Sequence, residues 1–431
     1  MDKITNFLNA KISGLVTNKP EILAAYSRDA SILEIMPKIL CLPQNVEDIQ
    51  YLLRFANELA KKGYQLPVAV RGSGLDQSGA DLTEGMVIST EKLDQIQEID
   101  DRARLVRVQA GVTLGQLNSA LALFGLRLPI EADPRETIGG LVSNFYTDKI
   151  AKKYGSIYYY VDRLEAVLSN GEVFQSQSLN PYGLKISKKQ ENFVGKLYQS
   201  VEKIINESHE QISDIKKNNH ARTGFHMITE VQPSSREFDL APLFFGAQGA
   251  LGVITELILK VVPVSRPTKQ ALLGFTNLKD TLEFMTELKK LQPLRIDFYD
   301  QRIISSVELP QLVEKAEHLL KSKYLVLTEF DDHYFKNLSN LKKLKNLNFD
   351  RSLAIIDQPE IAKIVAQIKK SLEIYRNDST VVERVILADR SYIPETEFYS
   401  FIDSMSTLER IFDQELPIFW LFYDKFIFRA S

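Results

Sequence analysis

Three short segments hold the residues whose types and spacing suit ligand chemistry. In YQLPVAVRGSGLDQSGA, residues 64–80, an alternating apolar run breaks into Gly72, Gly74 and Gly79 within a few residues. Glycine tolerates positive φ and has no Cβ to hold a ligand away, so successive backbone N–H groups can converge on an anion, most often a phosphate. The dinucleotide fingerprint of doubly wound folds does not fit. Its third glycine position holds Gln77, and Gly79 runs into ADLTEG and the strand-like MVIST rather than an amphipathic helix. For this stretch alone, a tight turn in a β-rich layer is the competing reading. The second segment, DPRETIGGLVSN, pairs Gly139 with Gly140 ahead of an apolar helical stripe of Ile138, Leu141 and Val142. In the third, FFGAQGALGVITELILKVVPV, Gly246, Gly249 and Gly252 precede a strand of alternating apolar residues.

Other reactive side chains are sparse, and each has a plain alternative. His220 and His226 flank RTGF and could pair on a metal, but without a third ligand nearby a surface or cofactor-edge role is the simpler one. His333 follows Asp331 and Asp332, a triplet that suits a cation or a polar turn. His209 and His318 sit in Lys/Glu-rich helical stretches and read as solvated. Tyr154, Tyr158, Tyr159 and Tyr160 could line a pocket, with strand alternation placing Tyr158 and Tyr160 on one face and at least half of the group in packing. Arg295, Arg302, Arg384 and Arg390 offer the bidentate fork that binds a carboxylate, against a default of solvated surface arginine. No HExxH, Walker loop, CxxC or serine elbow occurs.

The elements that must position these residues follow from periodicity. A helical lead-in is expected over 1–36, then the strand KILCLP and a helix in NVEDIQYLLRFANELAKKG, capped by Asn45 and closed by Gly63. Strand, glycine loop, two further strands and the helix VTLGQLNSALALFG come next, an α+β order rather than a doubly wound one. Asn170–Gly171 marks a hairpin in RLEAVLSNGEVFQ. Pro263 and Pro267 mark a boundary at about 265, beyond which Gly274 is the last glycine and short strands alternate with Lys-rich helices. The 431 residues suit two or three domains, and 44% hydrophobic with 25% charged residues is the composition of a globular chain. A net charge of −3 argues neither for nucleic acid nor for an anionic membrane surface. The lone Cys41 rules out an internal disulfide or a cysteine-ligated cluster. With no signal-peptide pattern and no apolar run of spanning length, a cytoplasmic chain is expected, peripheral membrane contact staying open.

In their order and flanks, the segments PVAVRGSGLDQSGA, DPRETIGGLVSN, KKYGSIYYYVDRLEAVLSNGEVF, RTGFHMI and FFGAQGALGVITELILKVVPV resemble the flavin-binding domain of the vanillyl-alcohol oxidase and p-cresol methylhydroxylase superfamily. The nearest branch is that of glycolate oxidase subunits and D-lactate or D-2-hydroxyglutarate dehydrogenases. The resemblance implies an α+β fold in which a two-subdomain p-cresol methylhydroxylase-type FAD-binding domain, residues 37–265, is followed by an α+β substrate or cap domain, 269–431. It implies FAD held by Arg71, Gly72, Ser73, Gly74, Leu75, Asp76 and Ser78 around the pyrophosphate. Asp133, Thr137, Ile138, Gly139, Gly140 and Ser143 would continue the wall toward the ribityl chain and ring, with Ile254 at the adenine or flavin edge. Ile254 also reads simply as a core strand residue. The implied reaction is oxidation of a small 2-hydroxyacid or related alcohol, with hydride passing to flavin N5. The alternatives are a flavin-binding or scaffold protein that keeps the fold without turnover, and a fold lookalike without flavin.

The chain departs from the family's pattern in several places. Leu75 stands where the family has threonine, and Asp76 puts an acid beside the pyrophosphate, where it repels unless it points away. The second loop is shortened between Asp133 and Thr137, and Phe145 and Tyr146 replace family glycines. Family members that link flavin covalently use His or Cys, and the equivalent position lies near Leu75, so the FAD is expected to be non-covalent. After His333 no histidine follows, so the metal and histidine base of the 2-hydroxyacid branch have no visible counterpart, and no metal is expected. Catalytic base and electron acceptor stay unassigned.

Overall fold

In the computed structural model, residues 2–146, 151–217, 224–264, 268–300, 322–332, 334–347, 352–356, 388–393, 397–412, 418–422 and 426–430 are described. The chain divides into two compact units, 1–148 with 155–264, and 149–154 with 265–431.

The first unit holds two sheets. β1 (Leu15–Thr17), β2 (Ile39–Leu42), β3 (Val68–Arg71) and β4 (Met86–Ser89) form a four-stranded sheet in the order β1-β2-β4-β3. β4 runs parallel to both β2 and β3, and β1 is antiparallel to β2. β2 and β3 run in the same direction on either side of β4, and the helix Val46–Lys61 makes the crossover that joins them. Asn45 starts that helix by accepting from Asp48 N at 2.8 Å, and its Ile49, Leu52 and Leu53 face the core. Asp48 has a second task. Its buried carboxylate accepts from the N–H groups of Ser13, Gly14 and Gln44 at 2.8 to 3.0 Å, tying the N-terminal segment to the helix. The first 36 residues therefore do more than lead in: after a short helix, Asp2–Asn9, they contribute β1 to the sheet.

The second sheet takes β5 (Ile96–Asp100), β6 (Leu105–Gln109), β8 (Val161–Leu168), β9 (Val173–Gln175) and β10 (Gly252–Lys260) in the antiparallel order β5-β6-β10-β8-β9. β7 (Leu126–Arg127) pairs with β11 (Val262–Pro263). Gly171, at φ 81, turns β8 into β9. One apolar cluster joins both sheets, with Ile39, Ile49, Leu52 and Ile88 packed alongside Val167 and Val253. Strand β10 sits between β6 and β8 although some 80 residues separate it from β8 in sequence, so the third glycine segment enters at the centre of the sheet. Directly ahead of β8, a short 3-10 turn over Ile157–Tyr160 places Tyr160 in the core and leaves Tyr159 exposed. Because this stretch turns instead of extending, strand alternation does not describe its tyrosines.

The second unit contains β12 (Lys269–Phe275), β13 (Arg295–Asp300), β14 (Tyr324–Phe330), β15 (Ser352–Ile356), β16 (Ala388–Ile393), β17 (Ile418–Phe422) and β18 (Phe426–Ala430), in the order β15-β12-β14-β13-β17-β18-β16. The helices Leu278–Lys289 and Tyr334–Asn346 cover one face, where Phe275, Phe284, Ile296, Phe298, Val326 and Leu344 interlock.

Candidate functional site

The first glycine loop leaves the end of β3. The Arg71 carbonyl still accepts from Thr90 N at 2.9 Å, so the strand pairing holds up to the residue before Gly72. The Arg71 side chain turns away from the loop's open side. It is buried, donating to the Arg28 carbonyl at 2.7 Å, facing Asp81 at 3.4 Å and lying 5.4 Å from the centre of the Tyr26 ring. Gly74, at φ 70, bends the loop over this guanidinium, and a Cβ there would overlap it. The Asp76 carboxylate is turned onto the loop's own donors. Its Oδ2 accepts from Ser78 N at 2.9 Å, Ser78 Oγ at 2.7 Å and Ala80 N at 3.0 Å. The Asp76 carbonyl accepts from Ala30 N at 2.9 Å, so residues 28–30 pin both ends of the loop.

The second loop reaches the helix Ile138–Ser143 through Thr137, whose hydroxyl accepts from Gly140 N at 3.2 Å. Gly139 N donates to the Ala110 carbonyl at 2.8 Å, and a Cβ on Gly139 would come within 2.8 Å of the Ala110 methyl. That glycine serves close packing of helix on strand end. Ile138 is core. Asp133 holds Arg135 in a two-pronged pair at 2.8 and 3.0 Å.

The third loop turns through positive φ at Gly246, Gln248 and Gly249. Gln248 N donates to the Ser143 carbonyl at 3.1 Å, and its side-chain amide donates to Ser78 Oγ at 3.1 Å, so this one residue touches both other loops. Gly252 opens β10 at φ 152, where a Cβ would lie 2.5 Å from the Val167 carbonyl. The β10–β8 register shifts between Ile254 and Glu256, and Ile254 lines the pocket while it stays 5% exposed.

The three loops enclose one pocket. Of the residues expected from sequence, Gly72, Ser73, Gly74, Leu75, Asp76, Thr137, Gly139, Gly140, Ser143 and Ile254 line it. Arg71, Ser78, Asp133 and Ile138 do not line it and stand behind or beside the wall, for the reasons above. Sequence reasoning missed Asp81, Thr90, Ala110, Glu136 and Gln248, which also line it. The signals for Gln248 and Glu136 were their places inside the third and second glycine segments; Thr90 and Ala110 arrive from the ends of β4 and β6, which no local pattern announces, and Asp81 follows the first loop. Among the described residues, the charged side chains lining the pocket are acids: Asp76, Asp81 and Glu136. Burial pushes the Asp81 carboxyl up to about 7, against the lowering pull of Arg71 and with Asp29 and Asp76 raising it further.

The remaining candidates fall elsewhere. The His226 ring lies 5.2 Å from that of Phe145, and no three His, Cys, Asp or Glu side chains gather at metal-binding spacing among the described residues. Tyr158 packs edge-on to Phe245, and burial pushes its phenol up to about 12. Arg295, in the second unit, is buried with its Nε 3.1 Å from Glu329 and 3.7 Å from Asp297, so its guanidinium already sits among carboxylates. His220, His318, His333, Arg302 and Arg384 lie outside the described residues, as does the side chain of Arg390. No helix among the described residues is long and apolar enough to cross a membrane.

The pocket suits FAD in its donor chemistry. It is walled by backbone and glycine, with the Asp76 carboxylate turned onto its own loop and Asp81 facing Arg71, and Val70, Ala110 and Ile254 add apolar lining. Comparison with known proteins agrees. Residues 37–177 match the FAD binding domain family. The chain is 26% identical over 300 residues to D-2-hydroxyglutarate dehydrogenase of Pseudomonas putida, covering 69% of this chain and 30% of that protein. It is 27% identical over 302 residues to D-lactate dehydrogenase of Archaeoglobus fulgidus, covering 67% and 54%. The chain thus spans less than two thirds of the length of either relative. The structure of p-cresol methylhydroxylase with substrate bound superposes with a TM-score of 0.69 at 13% identity, over 100% of this chain and 82% of that one. The chain carries an FAD binding domain in a fold of the p-cresol methylhydroxylase type, related in sequence to flavin-linked 2-hydroxyacid dehydrogenases.

Proposed function

We propose that the chain is an FAD-dependent oxidoreductase that holds its flavin non-covalently and oxidises a small 2-hydroxyacid or a related alcohol. The observation that carries this reading is the convergence of three glycine-bearing segments, distant in sequence, on one pocket walled by backbone and small side chains. The names of the relatives, D-2-hydroxyglutarate and D-lactate dehydrogenase, support the substrate class.

In this reading the backbone of Gly72 to Asp76 faces the diphosphate, with Gly139 and Gly140 continuing the wall and Ser143 beside the ribityl chain. Ile254, Ala110 and Val70 exclude water along the apolar lining. Arg71, Ser78, Asp133 and Ile138 act from behind by fixing the loops. Bound flavin supplies a hydride acceptor at N5, so the protein's part is position and charge. The division into an FAD-binding domain over 37–265 and a substrate domain over 269–431 belongs to the same proposal, supported by the change of unit near residue 265. So does a cytoplasmic location, supported by a lone cysteine buried as a free thiol in β2.

Anaerobic mixing of the flavin-loaded protein with a panel of D-2-hydroxyacids and simple alcohols tests the reading. Loss of the oxidised-flavin absorption with at least one of them is expected. Flavin that stays oxidised with all of them would mark a flavin-binding protein without this turnover.

A further inference from the structure

Two carboxyl groups stand against one guanidinium at the first glycine loop. Asp81 lines the pocket and lies 3.4 Å from Arg71 Nη1, the Arg71 and Asp81 side chains being 8% and 9% exposed. The guanidinium is pressed against Gly74 from behind, since a Cβ there would overlap it, so the charge of this pair is felt at the loop itself. Asp29 completes the group. Its Oδ1 accepts from Ser31 N at 2.8 Å, whereas its Oδ2 is buried and meets no donor among the described residues. The Asp81 carboxyl is its hydrogen-bonding neighbour. Two carboxylates cannot satisfy each other unless one of them holds a proton, and a proton on Asp81 supplies the donor that Asp29 Oδ2 lacks. Burial pushes the Asp81 carboxyl up to about 7, with Arg71 pulling it down and Asp29 and Asp76 raising it. Other charged and titratable groups lie further out. Glu136 lines the pocket from the second loop, Tyr26 backs Arg71 and donates to Glu91 at 3.3 Å, and Arg28 pairs outward with Glu34 at 2.6 Å.

We propose that Asp29 and Asp81 share one proton, and that this proton sets the pocket's affinity for the diphosphate of FAD. This rests on the reading of the pocket as the FAD site. With the proton in place, Arg71 and one carboxylate balance, and the wall behind Gly74 is neutral. Without it, two carboxylates outweigh the one guanidinium, and the same wall repels a ligand that is itself a dianion. Proton and FAD therefore favour each other, and by reciprocity FAD that binds above the Asp81 value draws a proton in. The sign follows from the protonated form being the receptive one: affinity is highest below about 7 and falls as pH rises through that value.

The test is equilibrium titration of the flavin-free full chain with FAD and with riboflavin, which lacks phosphate, at about pH 5.5 and about pH 8.5, for the wild type, Asp81→Asn and Asp29→Asn. Either amide supplies the N–H that the shared proton supplied and removes one carboxylate, leaving one acid against Arg71 at both pH values. In the wild type the FAD dissociation constant should rise about fivefold or more from the lower pH to the higher, with that of riboflavin little changed. Each variant should bind FAD at both pH values about as tightly as the wild type does at the lower one, and Asp29→Asn carries the test if Asp81→Asn does not fold. A wild-type constant that does not change with pH, the same rise in the variants, or an equal rise for riboflavin overturns the proposal. A wild-type chain that binds FAD at neither pH overturns the FAD reading itself, and the proposal with it.

Discussion

Gly72 lies directly against Thr137: a Cβ at position 72 would overlap the Thr137 hydroxyl, the same oxygen that accepts from Gly140 N and starts the helix Ile138–Ser143. The first and second glycine loops therefore meet at a point with no room for a methyl group, and the bare backbone of one is shaped by the cap of the other.

We predict that Gly72→Ala and Thr137→Ala partly compensate. Overpacking should cost Gly72→Ala about 1–3 kcal/mol, and loss of the cap should cost Thr137→Ala about 1 kcal/mol. Removing the hydroxyl leaves the new methyl with its nearest neighbour, Thr137 Cβ, at 3.3 Å, so the double variant should lose less than the sum. Urea denaturation of the four proteins measures this; strict additivity would mean that the two loops do not bear on each other.

Much of this arrangement was legible in the amino-acid sequence. Glycines set between alternating runs, Asn45 before an apolar stripe and Asn170–Gly171 between two strands are local signals, and local backbone chemistry reads them directly. Thr90 and Ala110 were not legible, because they reach the pocket from strand ends, Thr90 by pairing with Arg71 and Ala110 just past β6, and Asp81, in the loop ahead of β4, carries no local sign of facing it. Nor was the part played by the N-terminal segment, where Tyr26, Arg28 and Ala30 back the first loop through contacts 40 or more residues distant. Tyr158 was misread because Ile157–Tyr160 forms a 3-10 turn, a difference that residues with high strand propensity conceal.

Asp81 should give stability a pH dependence. Its carboxyl rises from 3.8 to about 7 on folding, so between those values the folded protein holds a proton that the unfolded chain has released. This contribution favours the folded state less as pH rises from about 4, and is lost above about 7. The fall in melting temperature from pH 5.5 to pH 8 should therefore shrink in Asp81→Asn, the conditions being chosen as about one and a half units below and one above that value. An equal fall in both proteins would contradict the assignment.

The donor set also predicts metal content. The last histidine in the chain is His333, and the described residues gather no three His, Cys, Asp or Glu side chains. Zinc and manganese sites need such clusters of nitrogen or oxygen donors. Elemental analysis of the purified chain should find neither metal in stoichiometric amount, and D-lactate and D-2-hydroxyglutarate should reduce the flavin slowly. One metal per chain, or fast reduction by either acid that a chelator abolishes, would sink this expectation.

The central claim, that the three loops form an FAD site without a covalent link, is tested most directly by the visible spectrum of the purified protein before and after acid precipitation. The protein, as isolated or after incubation with FAD and removal of the excess, should show the bands of oxidised flavin, and acid should release all of the colour into the supernatant, because neither His nor Cys stands in the first loop. A protein that stays colourless after incubation with FAD, or colour that remains in the acid pellet, would contradict it.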